Sequence, residues 1–240
     1  QGVEPLREEV ARLKGHYQYV IFDVVDQGSL KTIANALHHM PVLGGSSALA
    51  EELPVRVSER STQSMSSLPP ANGMGILCAA GSLMPQTKAQ VEYMRQRGAW
   101  VFELDTLKVL DEGERALTIH ELRRRMGSAL QQGDDVVLHT SNDPRIVAET
   151  KRKGQARGQS TTEVSRLVSE ALAELVANCV EELGLNRLLI AGGDTSAAVC
   201  SRLGIRGMRV WQEIEPGIPS CISLGDMPLF LVLKSGSFGS

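Results

Sequence analysis

The sequence predicts an α/β protein: a mainly parallel sheet flanked by helices, with a partial second α/β domain at the amino terminus. Two observations lead there. Short apolar runs alternate with helical patterns along most of the 240 residues, which is the signature of βα units. Several of those runs end in a glycine turn that opens directly into a helix, and no repeat of solenoid period is visible.

The elements follow in order. Leu6, Val10 and Leu13 recur at helical spacing, with Pro5 suited to start that helix and Gly15 to stop it. Residues 19–25 (YVIFDVV) read as a buried strand. Ser29 is the expected cap of a second helix through about residue 39, residues 41–43 form a short extended piece, and GGSSALAEEL opens another helix. Residues 54–73 are rich in Ser, Thr, Gln, Pro and Asn without sustained periodicity and read as a linker. The chain is accordingly divided into residues 1–60 and 61–240.

The second part continues with strand 74–79, helix 85–97, strand 99–104, helix 119–132 and strand 135–139. A long amphipathic helix over 162–183 ends at Gly184. Strand 187–191, helix 195–203 and two strands at 208–214 and 218–223 follow, the pair joined hairpin-fashion through Pro216 and Gly217. An apolar strand at 228–233 closes the series at Lys234.

Composition narrows the function classes. With 42% hydrophobic and 22% charged residues the chain groups with soluble globular proteins. A formal charge of -3 supplies no large positive field, which argues against nucleic acid as a partner. Cys78, Cys179, Cys200 and Cys221 form no CxxC pair and lie in or beside apolar stretches. Buried reduced thiols and a cytoplasmic setting are expected, with no zinc site. No apolar run approaches the roughly 20 residues of a spanning helix, so no membrane is implied. Gln1 and the glycine loop before Ser240 read as cut ends.

Three loops carry the chemical signal. In LLIAGGDTSAAV, residues 188–199, Gly192 and Gly193 join a buried strand to a helix start, whose free N–H groups and positive dipole end favour an anion. Thr195 and Ser196 add hydroxyls, and Asp194 suits either a helix cap or a metal-bound water. LKSGSFGS, residues 233–240, gives Gly236 and Gly239 freedom beyond another strand, where Lys234 reads as a solvated charge more readily than as a phosphate ligand. ILCAAGSLMPQTKAQ, residues 76–90, repeats the pattern with Ser82 at the strand's end, Pro85 in the first helical turn, and Thr87 and Gln90 on one helix face. Each loop alone is equally a plain connection. At the carboxyl ends of parallel strands they can face one another across a ligand.

Other features are discounted. KRKGQARG, residues 151–158, lacks aromatic residues and reads as a solvated loop, with closure over a triphosphate as its alternative role. His139, Thr140 and Ser141 end a strand and are expected to border a ligand, with little case for His139 as a base. His38 and His39 suit a helix end, and Asp23 and Asp26 suit a cap and a turn. Neither a Walker A loop nor a contiguous GxGxxG is present.

The three loops together resemble the signatures of the four-carbon acid sugar kinases. That family's carboxyl-terminal domain carries a Gly-Ser turn before a Thr and Gln helix, a GG-acidic-T-S loop and a KSG-x-FG loop. Here they stand as Gly81-Ser82 with Thr87 and Gln90, as Gly192 to Ser196, and as Lys234 to Gly239. The segment GIRGMRVWQEIEPGIP, residues 204–219, is similar to the family's stretch between the last two loops. FDVVDQGSLKTIANAL and VLGGSSALAEEL resemble the end of its amino-terminal substrate domain. The family's Asp-Asp-Leu-Thr-Gly-Ala acceptor motif does not occur in the sequence, so a fragment is expected, and the catalytic base stays unassigned.

The resemblance implies ATP as phosphoryl donor, Mg²⁺ bridging its phosphates, and a hydroxyl of a threonate, erythronate or oxo-tetronate type acid as acceptor. It places Ser82, Gly192, Gly193, Asp194, Thr195 and Gly236 against the nucleotide, with no protein metal ligand assigned. The partners implied are the sugar acid and ATP, and homo-oligomerisation is left open. Two rivals remain: a non-catalytic nucleotide-binding or regulatory module, and a nicotinamide-dependent dehydrogenase, which suits the βα pattern but not the loops.

Overall fold

The computed structural model describes residues 2–53 and 68–239, and the chain divides into two units, residues 1–65 and 66–240. The first unit carries helices α1 (Val3–Lys14), α2 (Gln27–Leu37) and α3 (Ser47–Glu52). Val10, Ile33, Ala36 and Leu37 form its small apolar cluster. Residues 19–25 do not form the expected strand: Tyr19 and Ile21 are 86% and 92% exposed. An isolated extended segment has no ladder to satisfy its backbone, and no strand stands beside it among the described residues of this unit. The cap of α2 is Asp26, whose side chain accepts from Ser29 N at 2.7 Å, so Ser29 lies inside the first turn.

Seven strands build the second unit: β1 (Leu77–Ala80), β2 (Trp100–Leu104), β3 (Val136–Thr140), β4 (Arg187–Ala191), β5 (Met208–Glu215), β6 (Ile218–Ser223) and β7 (Phe230–Lys234). They form one sheet in the order β2-β3-β1-β4-β7-β6-β5. β2, β3, β1, β4 and β7 run parallel, while β6 and β5 return antiparallel. β4 and β6 match the expected ranges to the residue. Most of the linker expected over 54–73 lies outside the described residues. Its last part is tied down, since Asn72 Nδ2 donates to Gly184 O at 2.7 Å and Pro70 O accepts from Asn186 Nδ2 at 2.9 Å.

Alternation along the strands divides the core between the two faces of the sheet. Leu77, Leu138, Leu188, Ile190 and Leu231 turn to one face and pack on α6 (Glu112–Gln131) and α8 (Thr161–Leu183). Cys78, Ala80, Val137 and Ala191 turn to the other, where Val91 of α4 (Pro85–Gln96) covers them. α8 begins in a capping box between Ser160 and Glu163 and ends at Gly184, which takes φ +71°. No helix among the described residues is long and apolar enough to cross a membrane. The four cysteines are free, and burial pushes the thiols of Cys78 and Cys179 up to about 12.

Two helices were not legible. α5 (Thr106–Val109) is a single turn capped by Asp105, and α7 (Pro144–Ala156) contains most of the run expected to be a solvated loop. Asp143 accepts from Arg145 N at 2.7 Å and Pro144 occupies the first turn, a cap and start signal that polar composition had masked. Two of the run's four basic side chains are engaged, while Lys151 and Arg152 stay exposed. Lys153 Nζ donates to Leu107 O at 2.9 Å, and Arg157 donates to Leu110 O and Asp111.

Candidate functional site

β1, β4 and β7 end in register at Ala80, Ala191 and Lys234. The chain leaves β1 through α4 toward β2 on one side. It leaves β4 through α9 (Gly193–Arg202) toward β5 on the other. The boundary between β1 and β4 is therefore a topological switch point, where an open α/β sheet leaves a crevice outside its carboxyl edge. A cleft of about 430 Å³ opens there, and Ser82, Gly192, Gly193, Asp194, Thr195 and Gly236 all line it.

Backbone bonds clamp the three loops together. Gly81 N donates to Ala191 O at 3.1 Å, and Gly192 N donates to Lys234 O at 2.9 Å. Glycines sit where the loops touch. A Cβ on Gly81 would fall on Thr195 Oγ1, and one on Gly236 would fall on Ser82 Oγ. Gly192 holds φ +119° against Thr195 and Ser82, a conformation that L side chains rarely adopt. Gly193 differs from these. It is exposed, lines the cleft, and a Cβ there would meet nothing within 4 Å.

The N-terminus of α9 has no side-chain cap, and its first turn carries Asp194 and the buried Thr195. Unpaired N–H groups at a helix start attract an anion. Asp194 is exposed and does not cap the helix. It is the one carboxylate among the cleft-lining residues, and Lys151 of α7 is the one cation. Among the described residues no group of three or more His, Cys, Asp or Glu could hold a metal. Such a donor set fits a magnesium ion held chiefly by phosphate oxygens and water, as that ion prefers.

Lys234 is neither a solvated charge nor a cleft residue. It is 7% exposed, and its ammonium donates to Thr87 Oγ1 at 3.3 Å and Ser235 O at 3.1 Å. Burial pulls it below the usual lysine range. Thr87 is buried and donates to Gly236 O at 2.8 Å. Gln90 Nε2 reaches Phe238 O at 3.4 Å. The Thr and Gln helix thus holds the last loop through side chains that do not line the cleft. His139 is buried with Nδ1 2.9 Å from Thr140 O and stays out of the cleft, while Thr140 and Ser141 line it.

The far wall is what sequence reasoning missed, apart from Lys151, which belongs to the run whose alternative role was closure over a triphosphate. It consists of Thr106, Val147, Thr150 and Lys151, with Val164, Ser165, Val168 and Ser169 of α8. Asp143-Pro144 was the available signal for α7, and the i, i+4 pairs Val164/Val168 and Ser165/Ser169 were the signal in α8.

Comparison with known proteins gives the family and the fold. Residues 77–240 match the family model described as a nucleotide-binding C-terminal domain. A 3-oxo-tetronate kinase of Pseudomonas fluorescens is 33% identical across the whole chain, which spans 54% of that relative. A 3-oxo-isoapionate kinase of Paraburkholderia graminis is 33% identical over 72% of the chain and 38% of its own length. The chain therefore spans about half the length of the curated relatives it matches. Among solved structures, a Salmonella typhimurium protein described as a tRNA synthase superposes over the full chain and 54% of its own, with TM-score 0.74 and 28% identity. A Haemophilus influenzae protein of the DUF1537 family gives 0.67 and 26%.

Proposed function

This chain belongs to the four-carbon acid sugar kinase family, and from that membership we propose that its second unit is the ATP-binding part of a kinase for a four-carbon sugar acid. The acceptor is a hydroxyl of a threonate, erythronate or oxo-tetronate type acid. Residues 1–60 are read as part of the domain that holds that acid, and the enzyme as cytoplasmic.

One observation carries the reading: the loops after β1, β4 and β7 converge on a single cleft at the switch point. The N–H groups at the start of α9 take phosphate oxygens, helped by the hydroxyls of Ser82 and Thr195. Gly193 leaves room for the approach, and Gly236 lets the third loop close on Ser82. Mg²⁺, when bound, would supply charge neutralisation at the phosphates. Asp194, the carboxylate in the cleft, would hold that ion through a water. The chain's own contribution is to position the donor and stabilise its charge, and the base that receives the acceptor's proton is not assigned.

Titration calorimetry with ATP, ADP and NAD, each with and without Mg²⁺, tests this. Heat with the adenine nucleotides that strengthens with Mg²⁺ is expected. No heat and no thermal stabilisation at millimolar ATP would overturn the assignment, and a preference for NAD would favour a dehydrogenase instead.

A further inference from the structure

The cleft has two chemically different ends, and α8 separates them. Its residues Ser165 and Ser169 lie one turn apart and also border a neighbouring groove with Asp194, Ala197 and Ala198 of α9. That serine row therefore flanks the β4–α9 loop. Val164 and Val168 form a second row, displaced by one residue; both line the cleft, and Val168 also packs on the main core. Val164 is buried against Gly154, where a Cβ would fall on Val164 Cγ2, so α7 and α8 approach closely at that point. Val147 of α7 completes the apolar end, and both Val147 and Val168 are only half-buried.

Three hydroxyls of the lining are already committed to protein partners. Thr106 and Thr150 share a hydrogen bond of 2.7 Å between their Oγ1 atoms, and Thr150 Oγ1 also donates to Ile146 O at 2.8 Å. Ser141 Oγ donates to Glu103 Oε1 at 2.6 Å. A sugar acid placed there would give up hydrogen bonds to water without replacing them. A flat ring gains contact through its apolar faces while its polar edge stays turned to water. Lys151, exposed one turn beyond Val147, stands at the rim where its charge stays in water or meets a phosphate.

We infer that Val147, Val164 and Val168 seat the nucleobase of the bound nucleotide, which fixes the ligand's direction: phosphates on the β4–α9 loop, base between α7 and α8. This deepens the nucleotide reading above and rests on it. The valines set affinity for the base by face contact and leave the phosphate site untouched.

The test compares ATP with inorganic tripolyphosphate, both with Mg²⁺, on the wild-type chain, Val147→Trp and Val168→Thr. Val147→Trp fills the seat without adding charge, and Val168→Thr keeps the volume while adding a hydroxyl. Expected is an ATP affinity about tenfold lower in Val147→Trp and a smaller loss in Val168→Thr, with tripolyphosphate bound as by wild type. Folded variants that bind ATP like wild type would overturn the base seat and leave the nucleotide reading intact. Equal weakening toward both ligands would place the valines beside the phosphates and overturn it too. A wild-type chain that binds tripolyphosphate but gains nothing from adenosine, or binds neither, would overturn the seat together with its premise. If Val147→Trp does not fold, the selective loss in Val168→Thr decides.

Discussion

Thr87 Oγ1 donates a 2.8 Å hydrogen bond to the carbonyl of Gly236, joining residues 149 positions apart. The same hydroxyl accepts from Lys234 Nζ at 3.3 Å. One buried side chain therefore ties the last loop to α4 without entering the cleft. Thr87→Val keeps the shape and removes both bonds, leaving a buried carbonyl and a buried ammonium short of a partner. We expect a stability loss of about 1–3 kcal/mol and ATP affinity lower by about threefold to tenfold. Thr87→Ser should restore both. Thermal melting beside calorimetry checks this, and unchanged affinity in Thr87→Val would mean that the loop keeps its shape untethered.

Lys234 gives a pH signature. Its folded-state value lies below its ordinary 10.5 because burial disfavours the ammonium. In the window between the two values the unfolded chain binds more protons, so stability rises with pH there. The penalty is fully present at lower pH, where both states are charged. Lys234→Met keeps most of the stem and removes the titration. Denaturant midpoints from neutral pH up toward 10.5 should rise for wild type relative to Lys234→Met. A constant difference across that range would mean the ammonium is not desolvated.

Much of the sheet and one side of the site were legible because their signals are local. The strand at Arg187–Ala191 and the glycine pair after it are adjacent in sequence, and so are the Gly184 stop and the helix before it. What stayed hidden is long-range or short-lived. The burial of Thr87 depends on Gly236, which no periodicity connects to it. Residues 19–25 have the composition of a strand but no partner strand among the described residues of their unit, and strand character is realised only in a ladder. α7 places few apolar residues on its inner face, chiefly Ile146 and Val147, so its polar majority concealed a helix that its Asp-Pro start announces.

Gly154 controls the separation of α7 and α8, because any side chain there meets Val164. Gly154→Val should cost about 1–3 kcal/mol through overpacking, offset little by improved helix propensity. The same displacement should weaken ATP binding, since both helices wall the cleft. Melting temperature and ATP titration of the one variant report both effects. A variant as stable as wild type would mean that the two helices part without penalty.

The sequence contains three phosphate-type loops but no Asp-Asp-Leu-Thr-Gly-Ala motif. The 240-residue chain is therefore expected to bind Mg²⁺ and ATP while turning over no tetronate. A coupled assay with threonate, erythronate and oxo-tetronates measures this directly. Robust turnover would mean that the acceptor site and base lie within these residues.

Gly193 and Gly236 line the same cleft and should respond differently to the same substitution. A side chain on Gly236 falls on Ser82, so Gly236→Val disturbs the contact between two loops and confounds folding with binding. Gly193 opens α9, is exposed, and has no neighbour within 4 Å of a Cβ. Valine there costs the fold little, because its helix propensity is no worse than glycine's. If phosphate oxygens approach the N–H groups at that helix start, the two methyls occupy the path of the ligand. Gly193→Val should then bind ATP at least about tenfold more weakly, about 1.4 kcal/mol, with circular dichroism and melting temperature unchanged. Gly193→Ala should fall between it and wild type. Gly236→Val should lose stability and affinity together. A folded Gly193→Val with wild-type affinity would move the nucleotide away from the β4–α9 loop and undo the placement of its phosphates.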